Sequence, residues 1–158
     1  LKKIFNKINY GKIQKMNLHT PEVSEFSAVI AKELKVRKII KMFQKKYVKQ
    51  KKTIVLEGRD MSKIFHNADV KFFVVCKPIK IAAKRRWLQL NKGKKNISFN
   101  QVLKDLKKRD FMDRNRKHSP LERDQESVYI NTAKLNIKAV LDKMSKKVDM
   151  ILKIKYGK

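Results

Sequence analysis

Arginine is scarce in this chain, and where it occurs it keeps company with aspartate. Of 42 lysine and arginine residues only eight are arginine: Arg37, Arg59, Arg85, Arg86, Arg109, Arg114, Arg116 and Arg123. Three of them fall within Lys107-Lys108-Arg109-Asp110-Phe111-Met112-Asp113-Arg114-Asn115-Arg116. Lysine would serve for bulk charge, whereas the planar arginine fork grips a phosphate or carboxylate through two bonds at once. A helix through this stretch places Arg109, Asp113 and Arg116 at i, i+4 and i+7, on one face. Such a face can hold an anion or form an exposed salt-bridge ladder, and the segment alone leaves both readings open. Gly58-Arg59-Asp60 offers a second concentration, a phosphate clamp beside a hydrogen-bond acceptor, with a local salt bridge as its bland reading. If Arg37, Arg59, the pair Arg85/Arg86 and the triplet Arg109/Arg114/Arg116 converge, they describe a pocket for several phosphates. Group transfer in such a pocket is mostly positioning and charge neutralisation. Arg123, between Glu122 and Asp124, reads as structural.

Other reactive side chains are sparse. His19, His66 and His118 lack metal-ligand spacing, and no metal site is expected. Cys76 is the only cysteine, so no internal disulfide can form and a reducing, cytoplasmic location is expected. It reads as a buried thiol. Trp87 could stack on a base, but beside Leu88 on a helix it reads as packing. The net charge of +28 is spread along the chain. It suits nucleic acid, membrane surfaces and small polyanions alike, and an AT-rich genome would also write such lysines at unconstrained positions. No run approaches the roughly 18 apolar residues of a membrane span. The chain opens on Leu1, which points to a fragment, and it is expected to be a monomer.

Apolar periodicity supplies the elements that would position these groups. Residues 1–19 read as short strands around a turn at Gly11. Thr20-Pro21-Glu22 starts a helix with Val23, Phe26, Ile30 and Leu34 inward. A second helix carries Val36, Ile39, Ile40, Phe43 and Tyr47. Thr53–Glu57, Val70–Cys76 and Ser127–Asn131 read as strands, the first two as continuous apolar runs of the kind buried in parallel sheets. Helices are expected over Ile79–Asn91, from Ser98 through the arginine stretch to before Pro120, and from Asn136 with Ile137, Val140, Leu141, Met144, Val148 and Ile151 inward. The alternation gives an α/β class with a parallel sheet flanked by helices.

Several motifs in collinear order resemble bacterial cytidylate (CMP/dCMP) kinase over residues 18 to 150. They are Thr20-Pro21-Glu22-Val23-Ser24 with Phe26-Ser27 and Val36-Arg37; Glu57-Gly58-Arg59-Asp60-Met61; Lys84-Arg85-Arg86-Trp87-Leu88-Gln89-Leu90; and Arg109-Asp110 through Asp113-Arg114-Asn115-Arg116 to Pro120-Leu121. The resemblance implies a P-loop nucleoside-monophosphate-kinase fold that transfers the ATP γ-phosphoryl group to CMP or dCMP with Mg²⁺. Residues 1–52 would be the remainder of the monophosphate-binding insert and 53–158 the kinase core, with a helical lid over about 85–120. Ser27, Arg37 and Asp60 would face the cytosine, Arg109 and Asp113 the sugar. Arg59 and Arg116 would hold the acceptor phosphate, and Arg85, Arg86 and Arg114 would lie in or near the lid.

The chain departs from that family in one large respect. With glycine only at 11, 58, 93 and 157, the phosphate-cradling pattern G-x-x-x-x-G-K-S/T cannot be placed. The first strand and P-loop are therefore expected to be absent, leaving an apolar gap beside the strands at 53–57 and 127–131, and the chain alone to be inactive. Ser62-Lys63 and Phe111-Met112 are lesser departures. The rival reading is a non-catalytic, basic nucleic-acid-binding protein derived from such a kinase, binding polyanions through non-specific charge.

Overall fold

A computed structural model describes residues 11, 15, 16, 18, 20–31, 33–92 and 96–157. The expected strands before Thr20 lie almost wholly outside these residues. The chain divides into two compact units, Leu1–Gly58 with Arg116–His118, and Arg59–Asn115 with Ser119–Lys158.

The first unit contributes α1 (Pro21–Ile30) and α2 (Leu34–Lys49). Thr20 caps α1 as expected: its hydroxyl oxygen accepts from the Val23 amide at 3.2 Å, and proline in the first turn loses no needed donor. The inward stripe expected for α1 is not buried. Val23 is 38% exposed, Phe26 66% and Leu34 46%. On α2, Val36, Ile39, Ile40, Phe43 and Tyr47 are all half-buried. The expected strand over Thr53–Glu57 does not form: these residues have no ladder partner among the described ones, and Val55 is 97% exposed. An apolar run becomes a strand only when a neighbour takes up its amides and carbonyls.

The second unit holds α3 (Met61–Ile64), β1 (Phe72–Val75), α4 (Ile79–Asn91), α5 (Phe99–Asn115), β2 (Val128–Asn131) and α6 (Ile137–Tyr156). Strands β1 and β2 pair in parallel with Phe72 opposite Val128 and Val75 opposite Asn131. The ladder is extended at both ends, by Val128 donating to the Lys71 carbonyl and Thr132 to that of Val75. The parallel, helix-flanked sheet is the expected class, with two described strands. Helix α4 packs against α5, and among the described residues the buried apolar ones are Ile64, Ala83, Val102 and Ile130. Between these two helices, Trp87 donates its indole N–H to the Ile97 carbonyl at 2.9 Å, and the Asn91 amide both donates to and accepts from Ile97. Trp87 is thus a packing residue.

Helix α6 is capped by Asn136, whose side-chain oxygen accepts from the Ala139 amide at 2.8 Å. Its expected inward stripe is only half covered: Val140, Met144, Val148 and Ile151 are half-buried, while Ile137 is 81% and Leu141 56% exposed. Length explains this. Twenty helical residues span about 30 Å, whereas four-residue strands reach about 13 Å.

Candidate functional site

Two stretches singled out by their arginines meet in the second unit. Arg59 opens it, with Asp60 starting the short helix α3 by accepting from the amides of Lys63 and Ile64 through its carbonyl. Across from it stands Asp113, near the end of α5. The Arg59 Nε lies 3.4 Å from the Asp113 carboxylate, the guanidinium half exposed and the carboxylate mostly covered. A second pair fastens the same two stretches, Lys63 Nζ to Glu122 Oε2 at 2.7 Å. The backbone contributes too. The Asp113 carbonyl accepts from the Leu121 amide at 2.8 Å, folding the chain back past the helix end. Ser119, in that return, has φ 51°, a left-handed conformation that costs a serine roughly 1–2 kcal/mol.

Arg116 is the first residue after α5, which ends at Asn115, and it groups with the first unit. The Asp113 carbonyl has taken Leu121 where a longer helix would have offered the amide four residues on. Arg109, one turn before Asp113 on α5, is half-buried.

The remaining predicted residues are placed as follows. Ser27 lies on α1, and Arg37 on α2 donates to the Ala31 carbonyl at 3.1 Å. Arg114 pairs with Asp110 one turn earlier at 2.8 Å, a hydrogen bond that pushes the guanidinium pKa above its ordinary value. Arg86 donates to Gln89. Arg85 grips the turn between β2 and α6: its Nη2 lies 2.9 Å from the Thr132 carbonyl and 3.2 Å from those of Ala133 and Leu135. Cys76, expected buried, is half-buried, 3.9 Å from the Arg85 guanidinium. An open depression of about 730 Å³ lies beside this turn, with Arg85, Thr132, Leu135, Ile137 and Leu141 in its walls. Of the predicted site residues it touches only Arg85.

Three contacts were not foreseen from the sequence. Lys71 holds both Asp124 and Glu126, at 3.2 and 2.7 Å. The Asn131 amide accepts from the Lys77 N–H and donates to the Lys77 carbonyl, both at 3.0 Å. Asp69 accepts from Lys155 and Tyr156 at the end of α6. All three are polar contacts between residues far apart in the chain, which leave no periodic signal.

Whole-sequence comparison decides the matter: residues 4–150 match the cytidylate kinase family. The chain belongs to that family. Similar curated proteins are cytidylate kinases of Clostridium botulinum (strain Loch Maree / Type A3), 35% identical over 82% of this chain, and of C. botulinum (strain Langeland / NCTC 10281 / Type F), 32% identical over 88%. The cytidylate kinase of Fusobacterium nucleatum subsp. nucleatum is 36% identical over 66% of it. The chain spans 58%, 64% and 48% of those relatives' lengths. Among the described residues, no helix of this cytidylate kinase relative is long and apolar enough to cross a membrane.

Proposed function

We propose that the protein is a (d)CMP kinase, a phosphotransferase that moves the γ-phosphoryl group of ATP to CMP or dCMP and yields CDP or dCDP. The observation that carries this reading is the 3.4 Å pairing of Arg59 with Asp113, set beside Asp60 and one turn from Arg109. In the proposal Arg59, with Arg116, neutralises the acceptor phosphate, which is strongly repelled by the incoming donor unless its charge is balanced. Asp113 and Arg109 hold the sugar hydroxyls; Asp60, Ser27 and Arg37 read the cytosine edge through paired donors and acceptors. Residues 1–52 form the monophosphate-binding insert, residues 53–158 the core, and about 85–120 a lid carrying Arg85, Arg86 and Arg114. Closing that lid excludes water that would otherwise hydrolyse ATP. Arg85 reaches a phosphate only by leaving the carbonyls of the β2–α6 turn, so closure and that turn are linked in the proposal. Among the described residues no three His, Cys, Asp or Glu side chains gather as metal ligands. Mg²⁺ would therefore be carried chiefly on the donor phosphates, as is common for this cation.

The donor side is where these residues fall short. With four glycines and no G-x-x-x-x-G-K-S/T pattern, they offer no ready cradle for ATP phosphates. We propose accordingly that the 158 residues alone transfer little or no phosphate while still binding the acceptor as a cytoplasmic monomer. Calorimetric titration with CMP at moderate salt, with AMP as control, tests the reading. Selective CMP binding lost on Arg59→Ala is the expected result; equal binding of AMP would overturn it. Normal turnover by this chain in a phosphotransfer assay would overturn the second statement.

A further inference from the structure

Helix α2 has a face that nothing in the acceptor site uses. From Leu34 to Leu56 the sequence contains no acidic residue, while Lys35, Lys38, Lys41, Lys45, Lys46 and Lys49 all lie on α2. Of the other long helices, α5 carries Asp105, Asp110 and Asp113 among its cations and α6 carries Asp142 and Asp149; α4 also lacks carboxylates, but its Arg85 and Arg86 are engaged by Thr132 and Gln89. All six α2 lysines are exposed, and no hydrogen bond or ion pair within the described residues engages their side chains. Lys38, Lys41, Lys45 and Lys49 follow one another at spacings of three or four residues, so they form a single stripe with rungs about 5–6 Å apart. That spacing is comparable with successive phosphates along an extended polynucleotide strand.

We propose that this lysine stripe is a docking surface for the phosphate backbone of single-stranded nucleic acid, separate from the proposed nucleotide chemistry. An anionic membrane is the competing polyanion, and the helix argues against it. Interfacial helices insert their apolar side among the lipids, but on α2 Ile39, Ile40, Phe43, Tyr47 and Val48 are already half-buried within the protein. A major-groove reader would present arginine, asparagine or glutamine to base edges; the charged groups of this face are lysines, with Met42 exposed among them, and lysine attracts phosphate without reading sequence.

The test is fluorescence anisotropy of a labelled oligoadenylate against the full chain, since adenine lacks the pyrimidine edge expected of the acceptor site. With one phosphate contacted by each of the four stripe lysines, affinity should fall with salt at a log–log slope of about −3, or roughly 50-fold between 50 and 200 mM. The triple variant K38E/K41E/K45E should weaken binding at least tenfold and flatten the slope by about 2. The triple K143E/K146E/K153E on α6, with the same change in net charge, should do much less. Equal losses from both triples would reduce the effect to bulk charge and sink the proposal. So would displacement of the oligoadenylate by free CMP, or binding to phosphatidylserine vesicles without binding to the oligonucleotide. If the glutamate triple on α2 fails to fold, K38Q/K41Q/K45Q replaces it, with an expected slope change of the same sign; wild-type binding by a folded glutamine triple would overturn the proposal.

Discussion

Helices α2 and α5 are of similar length and both strongly basic, yet they handle charge in opposite ways. On α5 the cations are interleaved with aspartates, and the pairs close: Arg114 on Asp110, Arg59 on Asp113. On α2 the lysines stand apart from any carboxylate. A lysine stripe makes a field that any polyanion feels. An arginine held by an aspartate has a fixed direction, and only a ligand of matching shape can use it. Charge quantity and charge geometry are thus separable within one chain, and the separation can be attacked experimentally.

The largest effect should come from the geometric side. Arg59→Ala or Asp113→Ala removes a charge-assisted contact of about 1.5–3 kcal/mol, so CMP affinity measured by calorimetry should fall about 10- to 100-fold. The α2 triple K38E/K41E/K45E should leave it within about twofold, and an equal fall would erase the distinction drawn here. Packing should show the same contrast. Val102, buried on α5 at 4% exposure, should cost about 2 kcal/mol in urea unfolding when replaced by alanine, against less than about 0.5 kcal/mol for Lys45→Ala on α2.

Smaller effects sharpen the comparison further. Arg85→Ala deletes a donor that serves three carbonyls and should cost about 1–2 kcal/mol of stability; Arg85→Lys should recover only part, since an ammonium cannot reproduce the fork. Arg114→Ala breaks a half-exposed pair one helical turn apart and should cost only about 0.3–0.5 kcal/mol, less at high salt. The smallest is a pH effect at the end of α6. Hydrogen bonds from Lys155 and Tyr156 hold Asp69 below its ordinary pKa of 3.8, so its contribution is present above that pH and lost as pH falls through the lowered value. The same contact raises the Tyr156 pKa above 10.0, and that contribution disappears as pH rises through the raised value. Protection factors of the last-turn amides of α6, taken against the intrinsic exchange rate at each pH, should therefore fall at both extremes, and constant protection would show that the contact does not hold the helix end.

Much of this was legible in the sequence because it is local. Thr20 and Asn136 announce helix starts through side chains that reach a backbone amide three residues on, and the arginine stretch marks α5 by spacing alone. The family resemblance put Arg59 and Asp113 in one pocket with different roles; their direct pairing was not foreseen, since no period connects positions so far apart in the chain. The strand at Thr53–Glu57 failed for a complementary reason: composition shows that a segment would suit a sheet, but not that a neighbour is there to pair with it. Ile137 and Leu141 sit correctly on the apolar side of α6, and the two short strands described cannot cover that much helix. Helix α5 ends at Asn115, before Pro120 as expected, while the Leu121 amide that meets its last turn at the Asp113 carbonyl comes from beyond that proline.

The double clamp at Lys71 has a consequence for chemical reactivity. Amine-directed reagents attack only the neutral form of lysine, and only where they can reach it. Hydrogen bonding to Glu126 and Asp124 holds the Lys71 ammonium in its charged form, and the side chain is 8% exposed, whereas nearly every other described lysine is open to solvent. In a brief acylation of the folded chain Lys71 should be among the last lysines labelled. Its labelling would then time the moment when β1 and β2 come apart.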